Sequence, residues 1–202
     1  MKTDRPVRLT KTLLVAAATL LLVMAHAGAA EPAASPALLE AIQRSCASRQ
    51  FDPGHGFVVL PVARAILAVK EAIPEIRAAD PELVQVTALL HDIGGGGPRG
   101  EVSGPPKARE VLAEQKCAPE FIERVCRIIA THHHLHGELV KGLDDTPEWF
   151  VVIVADRPQV IAQHQRAPTD EKALTALVKT HIATLKRNLS WVEAAPKSPS
   201  TR

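Results

Sequence analysis

Tyrosine is absent from the 202 residues, and aromatic side chains make up only 3% of them. A core must therefore be built from Leu, Ile, Val and Ala, which suits helices packed on helices. Apolar residues reach 46%, enough for a real core, and no stretch combines high charge with few hydrophobes in the way that demands disorder. No basic stripe with interleaved aromatics is present, so no nucleic-acid partner is expected. Only three cysteines occur (Cys46, Cys117 and Cys126), with no C-x-x-C spacing, which disfavours a redox or zinc-finger site. The four glycines at 94–97 follow no strand and fit neither phosphate-binding fingerprint. A helix stop or a mobile lid is the expectation there. No G-x-S-x-G nucleophile elbow is found.

What is present begins with an address. Lys2, Arg5, Arg8 and Lys11 face only Asp4 in the first eleven residues, Leu13 to Ala25 is uninterrupted apolar sequence, and Ala27-Gly28-Ala29 fits small-x-small cleavage. This is the three-part pattern of a secretory signal peptide, and the apolar run is short for a membrane span. The expectation is a leader over 1–29, a bacterial product that is periplasmic or secreted, and no membrane association after cleavage. The formal charge of +2 comes from that segment, and the remainder is close to neutral. In an oxidising compartment the cysteines have two readings: one disulfide from Cys46 to either of the others, or three buried small hydrophobes.

Caps and periodicity place seven helices: 36–48, 57–72, 80–92, 105–115, 119–132, 147–156 and 170–191. Asp80-Pro81 and Thr146-Pro147 each pair an N-cap with proline at the first helical position. Pro158 is expected to kink or end the helix before it. The fold class is all-α, a single domain of about six or seven helices. The expected layout is a linker and N-terminal helix over 30–50, a helical domain over 51–191 and a disordered tail over 192–202.

Three of these helices bring a polar side chain to the end of a core-facing stripe. His91 shares a face with Val84, Thr87 and Ala88, with Asp92 next at the helix end. His132 follows Ile122, Val125 and Ile129, and Asp156 continues the face of Trp149, Val152 and Ile153. A carboxylate there is costly to bury unless a cation or hydrogen bonds meet it. Imidazole and carboxylate together suit Zn²⁺, Fe, Mn²⁺ or Co²⁺. Such an ion lowers the pKa of water and polarises a phosphoryl oxygen.

The segments ALLHDIG, RIIATHH and VIVADR, in that order, resemble the motifs of the HD-domain superfamily of metal-dependent phosphohydrolases, from about Asp52 to Arg157. The resemblance implies an all-helical fold, a divalent ion (Mn, Fe, Zn, Co or Mg) and hydrolysis of a small-molecule phosphate ester, a nucleotide being one candidate. Carried over by position, His91 and Asp92 are central ligands, His132 a ligand or phosphate contact, and Asp156 the last ligand. His91, Asp92 and His132 would be catalytic, with His133 and Arg157 as substrate contacts. Members often carry a pattern like HGxxHxxRV, whereas this chain reads HGFVVLPVA. Val59 stands where that pattern expects a ligand, and the usual Arg near Val62 is missing. Either His55 reaches in from its turn, or the site lacks one ligand. The glycine stretch lacks the histidine of dinuclear members, and Val154-Ala155-Asp156 replaces the common DAD. These departures motivate an alternative, a non-catalytic HD-like binding module. A third reading assigns metal binding to the histidine cluster at 132–136 alone. His164 and His181 read as ordinary helix-surface residues.

Overall fold

The computed structural model describes residues 34–96, 98–132 and 146–194. The expected leader over 1–29, most of the expected tail and the histidines after His132 lie outside the described residues.

Three helices open on a side-chain cap followed by proline. Ser35 Oγ accepts from the Leu38 amide at 3.3 Å, Asp80 Oδ1 from Glu82 and Leu83 at 3.0 and 3.2 Å, and Thr146 Oγ1 from Trp149 at 3.3 Å. Each cap satisfies an amide the first turn would otherwise leave unpaired, and the proline has no amide to satisfy. In chain order the helices are α1 (Pro36–Ser48), α2 (Gly56–Ala68), α3 (Pro81–Leu90), α4 (Pro98–Glu114), α5 (Pro119–Thr131), α6 (Pro147–Ala155), α7 (Pro158–Arg166) and α8 (Glu171–Ala194). Two 3₁₀ turns, Lys70–Ala72 and Pro74–Ile76, join α2 to α3. No strand occurs among the described residues, so the fold is all-α.

Among the described residues eight helices stand where six or seven were expected, and the extra one is α7. Pro158 ends α6 but also starts a new helix, because its fixed φ suits the first helical position once Arg157 is extended (φ −75°, ψ 129°). Helix α2 stops at Ala68, short of the expected 72, and its chain continues as 3₁₀ turns. Helix α4 starts at Pro98 rather than Pro105, so Pro105 and Pro106 lie inside it. Proline removes helical hydrogen bonds there, and close packing on the loop after α3 holds the first turns instead. The Ser103 hydroxyl lies 2.8 Å from the Arg99 carbonyl oxygen and 2.9 Å from that of Gly94, and a Cβ on Gly100 would overlap the Gly95 carbonyl. Gly94, Gly95 and Gly100 therefore form a tight joint between α3 and α4.

Helices α3 and α6 form the centre. Every residue from Leu83 to Leu90 and from Glu148 to Ala155 is buried. A helix apolar on all sides belongs inside, which accounts for the β-branched run 151–154. Glu148, buried at the start of α6, accepts from the Asp80 amide at 2.9 Å and from Arg124 Nη2 at 3.1 Å. These charge-assisted bonds pin the starts of α3 and α6 together. The two helices have 10 and 9 residues, so their far ends also meet. The meeting point is His91 and Asp156.

Among the described residues the three cysteines are free thiols, with Cys46 and Cys126 buried and Cys117 half-buried. Burial pushes the Cys46 thiol up to about 11. The small-hydrophobe reading suits Cys46 and Cys126. No described helix is long and apolar enough to cross a membrane.

Candidate metal centre

Four helix ends converge on one spot. His91 is the C-cap of α3, His132 of α5 and Asp156 of α6, while His55 is the N-cap of α2. Three C-termini pointing inward carry partial negative charge, which favours a cation between them. Helix α2 reaches this point because residue 56 is glycine: a Cβ there would overlap the Leu89 carbonyl.

Imidazoles and carboxylates alternate across the site. His55 Nε2 lies 3.1 Å from Asp156 Oδ1, which is 3.6 Å from His91 Nε2. His91 Nε2 is in turn 3.5 Å from Asp92 Oδ2, and Asp92 Oδ1 is 3.3 Å from His132 Nε2. The ring centroids of His91 lie 6.0 Å from those of His55 and 5.1 Å from those of His132. Ligand atoms of His91, Asp92 and His132 all fall within 4.8 Å of one another, close enough to share a metal ion.

The backbone decides which nitrogen faces the centre. His91 Nδ1 sits 2.9 Å from the Ala88 carbonyl and His132 Nδ1 sits 2.7 Å from the Ile129 carbonyl. A carbonyl only accepts, so each Nδ1 carries the proton and donates it. In the neutral rings Nε2 then presents a lone pair toward a carboxylate. Two lone pairs facing each other repel unless a proton or a cation stands between them. His91 Nε2 is fully buried and has no hydrogen-bond partner. A backbone-anchored imidazole with its other nitrogen turned to a carboxylate-lined space is the usual arrangement of a metal ligand. The residues present therefore fit a divalent cation. In its absence, burial acts to lower the His91 pKa. Asp156, Asp92 and the Ala88 carbonyl act the other way and hold it above the ordinary 6.5.

His55 reaches in from its turn. Val59, the position where the family pattern expects a ligand, is fully buried in the core, and so is Val154, which replaces the first acid of the pair. His132 points inward and is buried. His133 lies outside the described residues. Arg157 is half-buried, and its guanidinium makes no hydrogen bond among the described residues. Burial lowers its pKa and Asp156 opposes the change. His181 departs from the surface expectation: it is half-buried, and burial and then Arg157 lower its pKa. The carbonyls of Ala88 and Ile129 were not foreseen, although each precedes its histidine by three residues, a spacing that helical geometry makes available. A cavity of about 580 Å³ between residues 68–72 and the first turns of α8 contains none of these residues.

The family model named HD domain matches residues 59–161, just over half of the chain. The protein belongs to the HD-domain family, and the matched span includes every candidate ligand but His55. No curated protein and no solved structure gives a significant match.

Proposed function

We propose that this protein is a metal-dependent hydrolase of a small phosphate ester. The observation that carries the reading is His91 Nε2, buried without a partner and facing two carboxylates. His91, Asp92, His132 and Asp156 would hold the ion, with His55 closing the set. Bound there, a divalent ion supplies Lewis acidity toward water and a phosphoryl oxygen. The chain's own groups do the rest. Asp156 orients both His55 and His91, and Asp92 orients His132. Arg157, with its guanidinium donors uncommitted among the described residues, offers a charge for an anionic substrate, as would His133. The basic and apolar start of the chain supports action after export, in the periplasm or outside the cell.

Val154 favours a second reading, a binding module that has lost turnover, since an apolar side chain fills the place of one acid. One experiment separates them. The protein is loaded in turn with Mn²⁺, Fe²⁺, Zn²⁺, Co²⁺ and Mg²⁺ and assayed on a panel of phosphate esters. Hydrolysis lost in Asp92→Ala with the fold intact supports the enzyme. Metal uptake without hydrolysis of any ester supports the module.

A further inference from the structure

His132 and Asp156 come from two helices, α5 and α6, and a buried hydrogen bond outside the ligand set ties those helices together. Trp149, in the first turn of α6, is fully buried. An indole N–H only donates, and burial takes it away from water, so it needs an acceptor inside the protein. It finds one on α5, where Trp149 Nε1 donates to Thr131 Oγ1 at 3.2 Å. Thr131 is itself buried, and its hydroxyl donates to the Arg127 carbonyl one turn back in α5, at 3.0 Å. The hydroxyl proton thus points into its own helix, and a lone pair is left for the indole.

The place of this bond in the two helices connects it to the candidate metal centre. Thr131 is the last residue of α5 and the immediate neighbour of His132, the C-cap. His132 is anchored to its own helix, with Nδ1 on the Ile129 carbonyl at 2.7 Å, so the ring goes where the last turn of α5 goes. Its Nε2 then stands 3.3 Å from Asp92 Oδ1. Trp149 lies two turns before Asp156 on the same face of α6, roughly 10 Å along the axis. A shift of the last turn of α5 against α6 would therefore move His132 relative to both carboxylates. A metal site tolerates only about 0.2 Å in its ligand distances, so a small shift matters there. Arg124 Nη2 on Glu148 Oε1, at 3.1 Å, is a second tie between the same helices. Arg124 is half-exposed and lies two turns before Thr131, at the end of α5 away from the ligands. The indole–hydroxyl bond is the tie on the ligand side.

We propose that Thr131 and Trp149 are positioning residues of the metal centre: their hydrogen bond fixes the tip of α5 against α6 and so sets where His132 Nε2 meets an ion shared with Asp92 and Asp156. Neither side chain touches the ion. The inference rests on the metal-site reading above and on no particular substrate.

The test is a calorimetric Zn²⁺ titration of the full chain, with the Trp149 indole N–H resonance followed in parallel by NMR. The affinity read is that of the site abolished by Asp92→Ala, which sets aside zinc held by other histidines. Zn²⁺ is diamagnetic, and the chain's two tryptophans give two indole signals that Trp191→Phe tells apart. Zn²⁺ should shift the Trp149 signal of the parent. Thr131→Val keeps the side-chain shape and removes the acceptor. It should move the Trp149 signal in the metal-free protein and weaken Zn²⁺ roughly tenfold, the lower end for a group that orients a ligand. Thr131→Ser keeps the hydroxyl and should restore the parental affinity. Trp149→Phe should weaken Zn²⁺ as Thr131→Val does, and the double variant should be no weaker than either single one, because all break the same bond. Should Trp149→Phe fail to fold, the valine and serine variants decide. A bond that only supports the fold would lower the unfolding midpoint of Thr131→Val and leave the Zn²⁺ affinity of the folded protein at the parental value. That result, or an affinity lost equally in Thr131→Ser, overturns this inference and leaves the metal site standing. A parent that binds no Zn²⁺ at the site overturns the metal-site reading and this inference with it.

Discussion

His91 sets Nε2 3.6 Å from Asp156 Oδ1 while its Nδ1 is committed to the Ala88 carbonyl at 2.9 Å. The ring thus presents a lone pair to a carboxylate brought from a distant helix. This contact exists because α3 and α6 are nearly equal in length and are pinned at their starts by Glu148 and the Asp80 amide. The chemistry at one end of the helix pair depends on a hydrogen bond at the other.

A consequence appears in pH dependence. In the metal-free protein the carboxylates hold the His91 pKa above 6.5 despite burial. A raised folded-state pKa contributes stability that is fully present below the unfolded value and is lost as pH rises through the folded one. Metal-free protein should therefore lose stability as pH climbs above about 6.5, relative to His91→Gln. Metal affinity should move in the opposite direction, because the ion must displace that proton. Urea titrations at pH 6 and 8.5, with and without Mn²⁺, check both signs. Metal affinity that is flat with pH would contradict a ligand role for His91.

His55 offers a cleaner separation of site from fold. Its side chain is 40% exposed, and its ring meets Asp156 and the edge of His91. His55→Ala should leave the unfolding midpoint nearly unchanged while weakening metal binding by about 10- to 100-fold. Isothermal titration with Zn²⁺ or Mn²⁺ measures it. Unchanged affinity would place His55 outside the ligand set.

How much of this could be read in the sequence varies with the physics involved. The ends of α3, α5 and α6 were legible, because caps and a 3.6-residue period put His91, His132 and Asp156 at the tips of buried stripes. Their convergence was legible only through the family resemblance and not from the helix patterns, since it depends on tertiary pinning by Glu148, a residue that reads as an ordinary first-turn acid. His55 looked marginal because its approach depends on the missing Cβ of Gly56, a close contact that no periodicity announces. The start of α4 was misplaced for a related reason. Pro105 and Pro106 signal a helix start locally, but glycine packing against the α3 joint extends the helix seven residues earlier.

Gly56 therefore carries a prediction of its own. A methyl group there must push α2 away from the Leu89 carbonyl. Gly56→Ala should cost about 1–3 kcal/mol, typical of overpacking, and should also weaken metal binding by moving His55. Denaturation of the metal-free variant and metal titration of the folded fraction measure the two effects. A stable variant with full affinity would show that the close approach is not needed.

The cysteines predict reactivity. Burial raises the pKa of all three, and Cys46 reaches about 11, so little thiolate exists at pH 8. Iodoacetamide should label half-buried Cys117 before Cys46 or Cys126, and all three should react after unfolding without a reductant. Protection of two thiols until a reductant is added would reveal a disulfide instead.

The central claim is that His91, Asp92, His132 and Asp156 hold one divalent ion. The most direct measurement is elemental analysis of the purified, untagged protein after incubation with Mn²⁺, Fe²⁺ or Zn²⁺, beside Asp92→Ala and Asp156→Ala. The account predicts close to one metal per chain in the parent and little in either variant. It also predicts a rise in melting temperature of roughly 5–11 °C for the parent when metal is present at about 100 times its Kd. A parent that takes up no metal, or variants that retain it fully, would contradict the account.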